Sequence, residues 1–187
     1  MGEPAHNSAV TRGKQMRYEI IDGAIPAGEV ERMYDFVLHS NFNVGWVDRP
    51  EEISGLFRNM ASHYSDDDIK RLEFFESITS QKLLDKIDGR WPTKTSVNLS
   101  YPGNVYYPHT HQREESMVYY ANVRWLPEWA GETMIFHDDM TVDTAIEFKS
   151  GRVLWMDEGV PHSLRAPSTV CPDFRFTMAM FFEKKDS

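Results

Sequence analysis

Three histidines and one late arginine carry the chemistry available to this chain. His109-Thr110-His111 sets two imidazoles two residues apart, His162 follows about fifty residues on, and Arg175 stands thirteen residues beyond that. Side chains on extended backbone alternate faces, so His109 and His111 point the same way. Two imidazoles on one face can grip one metal ion, and a third from a remote segment can close a facial set. Positions on the ion then stay open for substrate or oxygen, the arrangement that non-haem iron chemistry uses. His109, His111 and His162 are therefore the candidate metal ligands.

His137 and Asp139 share the two-residue spacing and would contribute a carboxylate. Only two strands fit between them and His162, which assigns them to a different part of a barrel. Glu114 and Glu115 could reach a metal if their strand bends, with solvent exposure as their default. His39 and His63 read as surface residues among helices or loops. Asp66, Asp67 and Asp68 read as acids in the first turn of a helix, where they complement its dipole.

Arg175 lies in Phe174-Arg175-Phe176-Thr177, inside an otherwise apolar strand that runs to Phe182. A guanidinium that faces a core needs an anion. Its planar fork suits a carboxylate bidentately, and Thr177, on the same face, adds a hydroxyl. Tyr101, Tyr106 and Tyr120 can supply phenols to the same pocket.

These residues need elements to hold them. Before Trp91, helical patterns prevail. Pro26 to Ser40 opens on a proline suited to a first turn and puts Val30, Met33, Tyr34, Val37 and Leu38 on one face. Ser65 reads as an N-cap leading into Ile69, Leu72 and Phe75. A short helix is expected over Thr79 to Ile87, with Gly89 as its stop. From Trp91 onward, strands are predicted over 95–101, 104–111, 116–124, 132–137, 144–148, 152–156, 162–166 and 174–183. These segments are rich in β-branched and aromatic residues and punctuated by Gly, Pro, Asn and Asp. Eight short strands after a helical opening make a mainly β protein with N-terminal helices, a double-sheet jelly roll. Such a barrel has a mouth into which side chains carried on strands can project. Arg124, Trp125, Trp129, Trp155 and Arg165 flank that mouth, the tryptophans more as packing than as substrate contacts.

The ordered motifs resemble a family. Tyr101-Pro102-Gly103-Asn104, His109-Thr110-His111, Tyr119-Tyr120-Ala121-Asn122, Trp129-Ala130-Gly131-Glu132-Thr133, Gly151-Arg152-Val153-Leu154, His162 and Arg175-Phe176-Thr177 follow one another. This order is similar to the prolyl 4-hydroxylase-like branch of the iron(II)- and 2-oxoglutarate-dependent oxygenases. The resemblance implies a double-stranded β-helix (cupin-like jelly roll), Fe(II), O2 and 2-oxoglutarate as cosubstrate. It also implies oxidation, usually hydroxylation, of an unactivated carbon, with release of succinate and carbon dioxide. It makes His109 and His162 metal ligands and sets Arg175, beside Thr177, on the distal carboxylate of 2-oxoglutarate. Tyr101, Tyr106 and Tyr120 match positions lining the cosubstrate pocket. One position departs: where the family carries Asp or Glu, this chain has His111.

A second resemblance is to three-histidine metal cupins, which work without 2-oxoglutarate. Gly103, His109, His111, Glu115 and His162 follow their spacing, and Gly151 and Gly159 stand at later glycine positions, but Asp157 and Ala166 replace a proline and an asparagine. A non-catalytic barrel is the third reading. Arg175 and Gly131-Glu132-Thr133 favour the oxygenase.

Composition bounds the rest. The chain has 187 residues, 41% hydrophobic and 13% aromatic, enough for a globular core. A net charge of −9 argues against a nucleic-acid binder, which needs clustered Lys and Arg. The single cysteine, Cys171, forms no internal disulfide and fits a reducing, cytoplasmic setting. No apolar run is long enough for a membrane span. Residues 1–15 read as a flexible polar tail, and 16–187 as one oxygenase domain with helical support at 26–90. The compact barrel suits a small molecule or an exposed side chain as substrate.

Overall fold

The computed structural model describes residues 17–46 and 59–184, so the expected N-terminal tail lies outside the described residues. The elements run β1 (Tyr18–Ile21), α1 (Ala27–Leu38), β2 (Asn43–Trp46), β3 (Asn59–Tyr64), α2 (Asp66–Leu72), α3 (Gln81–Ile87), β4 (Lys94–Ser100), β5 (Glu114–Tyr120), a 3-10 turn (Pro127–Trp129), β6 (Thr133–Phe136), β7 (Val142–Ile146), β8 (Val153–Met156), β9 (His162–Leu164) and β10 (Arg175–Glu183). Seven strands form one sheet in the order β1-β8-β5-β10-β4-β3-β2, and three form a second, β7-β6-β9. The pairings are antiparallel throughout. This is the expected mainly β, two-sheet jelly roll with helices against one face.

Strand parity divides the molecule into two interiors. On the central strand β10, Phe176, Met178, Met180 and Phe182 face the helices, where they join Val97, Met117, Tyr119, Val153 and Trp155 in one core. Val30, Met33 and Val37 of α1, Ile69 and Leu72 of α2, and Leu83 and Ile87 of α3 close that core from outside. The alternate residues, Arg175, Thr177, Ala179 and Phe181, face the space between the sheets. β10 is thus buried on both faces, which is why it reads as one long apolar run. Ile135, Ile146, Leu154, Met156 and Val160 form a smaller apolar cluster between the sheets.

Local chemistry sets the helix ends. The Ser65 hydroxyl accepts from the Asp68 N–H at 3.2 Å while the Ser65 N–H donates to Asp68 Oδ2 at 2.9 Å, a reciprocal cap for α2. α3 is capped by Ser80, and Asp88 and Gly89 leave it in the left-handed region. On α1, Leu38 lies outside the buried stripe and is exposed.

The predicted strand over 104–111 does not form. Pro108 has no N–H to give a ladder, and the segment makes a single bridge, His109 with His162. The strands β1, β2 and β3 were not expected; they add to the two margins of the larger sheet. Trp155 is a core residue, stacked on Phe182 at 5.3 Å, as packing required. His63 sits on β3 rather than in a loop, and is exposed.

Candidate metal centre

His109 and His162 are joined through their backbones. The His109 N–H donates to the His162 carbonyl at 2.9 Å, and the His162 N–H returns to the His109 carbonyl at 3.0 Å. This bridge carries the irregular 104–111 segment to the edge of the small sheet, and His111, two residues on, follows. The ring centroids lie 4.5 Å (His109–His162), 5.0 Å (His109–His111) and 5.3 Å (His111–His162) apart. One nitrogen from each ring can be chosen so that all three fall within 4.8 Å of one another. Among the described residues this is the only cluster of His, Cys, Asp or Glu that could hold an ion.

Hydrogen bonding orients two of the rings. His109 Nδ1 lies 3.2 Å from the Tyr107 carbonyl and His162 Nδ1 2.9 Å from that of Val160. A carbonyl only accepts, so each Nδ1 carries its proton and each Nε2 keeps its lone pair for a ligand's role. Burial, followed by the charge of His109, pushes the His162 imidazole down to about 3, so that ring is neutral near pH 7. His111 packs edge-on to Phe181 at 4.6 Å.

Arg175 lies at the far end of the same cavity and is 1% exposed. Its Nε donates to the Gly131 carbonyl at 2.7 Å and its Nη2 reaches Thr133 Oγ1 at 3.4 Å. Its guanidinium carbon stands 5.3 Å from the Tyr120 ring centroid and 4.9 Å from that of Phe148. Among the described residues no carboxylate lies within 4.0 Å of it. Burial lowers its pKa to about 10, with Tyr120 opposing, and it stays cationic at neutral pH.

The sequence-predicted residues divide around this cavity. His109, His111, His162, Arg175, Thr177 and Tyr106 line it. The Tyr106 hydroxyl donates to Ser100 Oγ at 2.7 Å. Tyr120 lies under the guanidinium and gives its hydroxyl to Thr133 at 2.7 Å. Tyr101 is elsewhere: it continues the parity of Val97 and Leu99 and packs on the helix-side core. Glu115 takes that same side on β5, paired with Arg90 at 2.6 Å, so the cupin-like glutamate is turned away from the histidines. His137 pairs with Asp143 at 3.4 Å and Asp139 bonds Thr141, both outside the cluster. Trp125 and Trp129 pack together near Phe148, Arg124 stands over Trp129, and Arg165 pairs with Glu132. Sequence reasoning missed Ser96, Asn98, Ser116, Thr133 and Ser163, which also line the cavity. The alternation Lys94-Thr95-Ser96-Val97-Asn98-Leu99-Ser100 carried the clue, since its polar face points into the cavity instead of solvent.

No protein-family model matches the chain, and no curated protein sequence is similar to it. Solved structures do match. A prolyl hydroxylase from Trichoplax adhaerens, in complex with a hypoxia-inducible-factor peptide, superposes with a TM-score of 0.66 at 16% identity, over 89% of this chain and 83% of that one. A 2OG-Fe(II) oxygenase family protein from Burkholderia pseudomallei gives 0.68 at 10% identity, over 91% and 87%. HygX from Streptomyces hygroscopicus, with nickel and 2-oxoglutarate bound, gives 0.64 at 13% identity, over 90% and 83%. The fold is that of the 2-oxoglutarate–iron(II) oxygenases. None of the described helices is long and apolar enough to cross a membrane.

Proposed function

We propose that this chain is an iron(II)- and 2-oxoglutarate-dependent oxygenase that oxidises an unactivated carbon of a small molecule or an exposed side chain. One observation carries the reading: a single cavity holds three clustered imidazoles and a buried guanidinium with no carboxylate beside it among the described residues. A buried cation without an anion is costly, and a carboxylate ligand removes that cost.

The donor set fits a metal. His109, His111 and His162 would hold it through neutral ring nitrogens, with positions left for substrate and oxygen. Iron(II) bound there supplies the activation of O2 that couples conversion of 2-oxoglutarate to succinate and carbon dioxide with oxidation of the substrate. The protein's residues bind, orient and seal. Arg175 takes the distal carboxylate of 2-oxoglutarate as a two-pronged donor, with the Thr177 hydroxyl beside it. The Gly131 carbonyl and the Tyr120 and Phe148 rings fix its orientation before the ligand arrives. Tyr120 stays a neutral phenol because burial raises its pKa. His111 brings no charge, so a divalent ion would be balanced by the dianionic cosubstrate rather than by a protein carboxylate. The same-fold HygX structure, with nickel and 2-oxoglutarate bound, supports this reading.

Arg175→Met tests it, because methionine keeps much of the buried volume and removes the fork. Calorimetric titration of the metal-loaded protein without oxygen should show 2-oxoglutarate bound by the wild type and weakened about 100-fold by the variant, the worth of a charged two-pronged contact. Metal stoichiometry should not change. A wild-type protein that takes up the metal but not 2-oxoglutarate would be a cosubstrate-free metal protein instead.

A further inference from the structure

Phe181 holds its ring against a candidate metal ligand. Its phenyl centroid stands 4.6 Å from that of His111, edge to face at 66°. It lines the same cavity as the three histidines and is buried. The Lys94 ammonium lies 5.0 Å from the same phenyl centroid.

Backbone pairing keeps the ring there. Phe181 pairs with Lys94 on β4 and with Ser116 on β5, so both flanks of its strand are occupied. Its carbonyl accepts the Thr93 N–H at 2.8 Å and the Thr93 hydroxyl at 3.2 Å. Two-residue alternation turns the other phenylalanines of β10 away. Phe182 stacks on Trp155 at 5.3 Å and Phe176 joins the same helix-side core. One strand thus carries three phenylalanine rings, one against an imidazole of the cluster and two behind the sheet.

That position has a chemical consequence. A site that activates O2 is protected from its own oxidising power by bound substrate and by exclusion of competing reactants. Without a primary substrate, the oxidising equivalent from O2 and 2-oxoglutarate goes to an oxidisable group within reach. A phenyl ring is such a group, because its π system accepts an oxygen atom on carbon. This one is fixed beside His111 by a strand that cannot withdraw it.

We propose that Phe181 is a self-modification site, hydroxylated on its ring to a phenol when the primary substrate is missing. The balance closes. O2 takes up four electrons, two from the carbon–carbon bond that 2-oxoglutarate loses and two from the ring carbon. One oxygen atom enters the new carboxylate of succinate as carbon dioxide leaves. The other converts a ring C–H into C–OH. This rests on the oxygenase reading, which supplies both reactants.

The test uses full-length protein loaded with iron(II) and given 2-oxoglutarate and isotopically labelled O2, with no other substrate. Peptide mass spectrometry should find one labelled oxygen atom on Phe181 and none on Phe176 or Phe182. Withholding O2 or 2-oxoglutarate should abolish it, and Phe181→Leu should leave that peptide unlabelled. A second measurement needs no turnover. In nickel(II)-loaded protein with ring-labelled phenylalanine, the resonance that Phe181→Leu removes should shift, relative to zinc(II)-loaded protein, more than those of Phe176 and Phe182. The inference is refuted if 2-oxoglutarate binds and Phe181 stays unmodified, if the oxygen on Phe181 comes from water, or if the label falls on another residue instead. Failure of the oxygenase reading would look different: 2-oxoglutarate itself would not bind, and the inference would fall with it.

Discussion

Arg175 reaches its position because residue 131 has no side chain. Gly131 sits at φ +85°, and a Cβ there would stand 3.1 Å from Arg175 Cδ and 3.1 Å from Trp125 Cζ2. Gly131→Ala should therefore cost about 1–3 kcal/mol of stability through backbone strain and crowding. It should also weaken 2-oxoglutarate binding while sparing metal uptake, because the guanidinium moves and the histidines do not. Paired thermal melts and calorimetric titrations check both halves. His162 gives a pH dependence whose sign follows from its burial. Its pKa falls from 6.5 to about 3 on folding, so between those values the unfolded chain binds the proton and the folded chain does not. Stability of metal-free protein should then decline as pH drops from about 6.5 toward 3 and level off below, where both states are protonated. Urea midpoints along that range measure it, and His162→Gln should flatten the slope.

Elements explain what could be read in advance and what could not. The β10 segment was legible because an arginine in an unbroken apolar run needs a buried anion, and its parity with Thr177 follows from the two-residue period. His109 and His111 were legible as a pair for the wrong local reason. Their segment is not a strand; one reciprocal bridge to His162 orients it. β1, β2 and β3 escaped notice because they are short or poor in β-branched residues: β3 reads Asn-Met-Ala-Ser-His-Tyr. The polar face of β4 was hidden for a different reason. Alternation reveals two faces but not which is solvated, and here helices cover the apolar face while the polar one lines a cavity. The same ambiguity misassigned Tyr101. The helix-side core also carries a correctable cost. Among the described residues the buried Tyr119 hydroxyl has no hydrogen-bond partner, and its ring stands edge-on to Phe74 at 5.4 Å. Tyr119→Phe removes an unsatisfied group and keeps the ring, so it should stabilise the fold by about 1 kcal/mol. For a chain of this size that is a rise of roughly 2–4 °C in Tm, read by calorimetry.

At the scale of the whole molecule, the proposed metal would act as a cross-link. The three imidazoles come from a loop leading into the large sheet and from β9 of the small sheet, so an ion among them ties the two layers together. Whatever binds only the folded chain stabilises it by mass action, about 4 kcal/mol when present at a thousand times its Kd. Iron(II) or nickel(II) added to chelator-treated protein, without oxygen, should therefore raise Tm by on the order of 10 °C. His111→Leu should remove most of that rise by leaving two ligands, whereas His111→Asp should keep or enlarge it, since a carboxylate adds charge to the donor set. Equal shifts for wild type and His111→Leu would take His111 out of the ligand set and leave a two-histidine site. 2-Oxoglutarate added after the metal should give a further rise in the wild type and none in Arg175→Met. The buried guanidinium is the group it relieves, and the two ends of the cavity are joined by β10, which is rigidly paired on both sides.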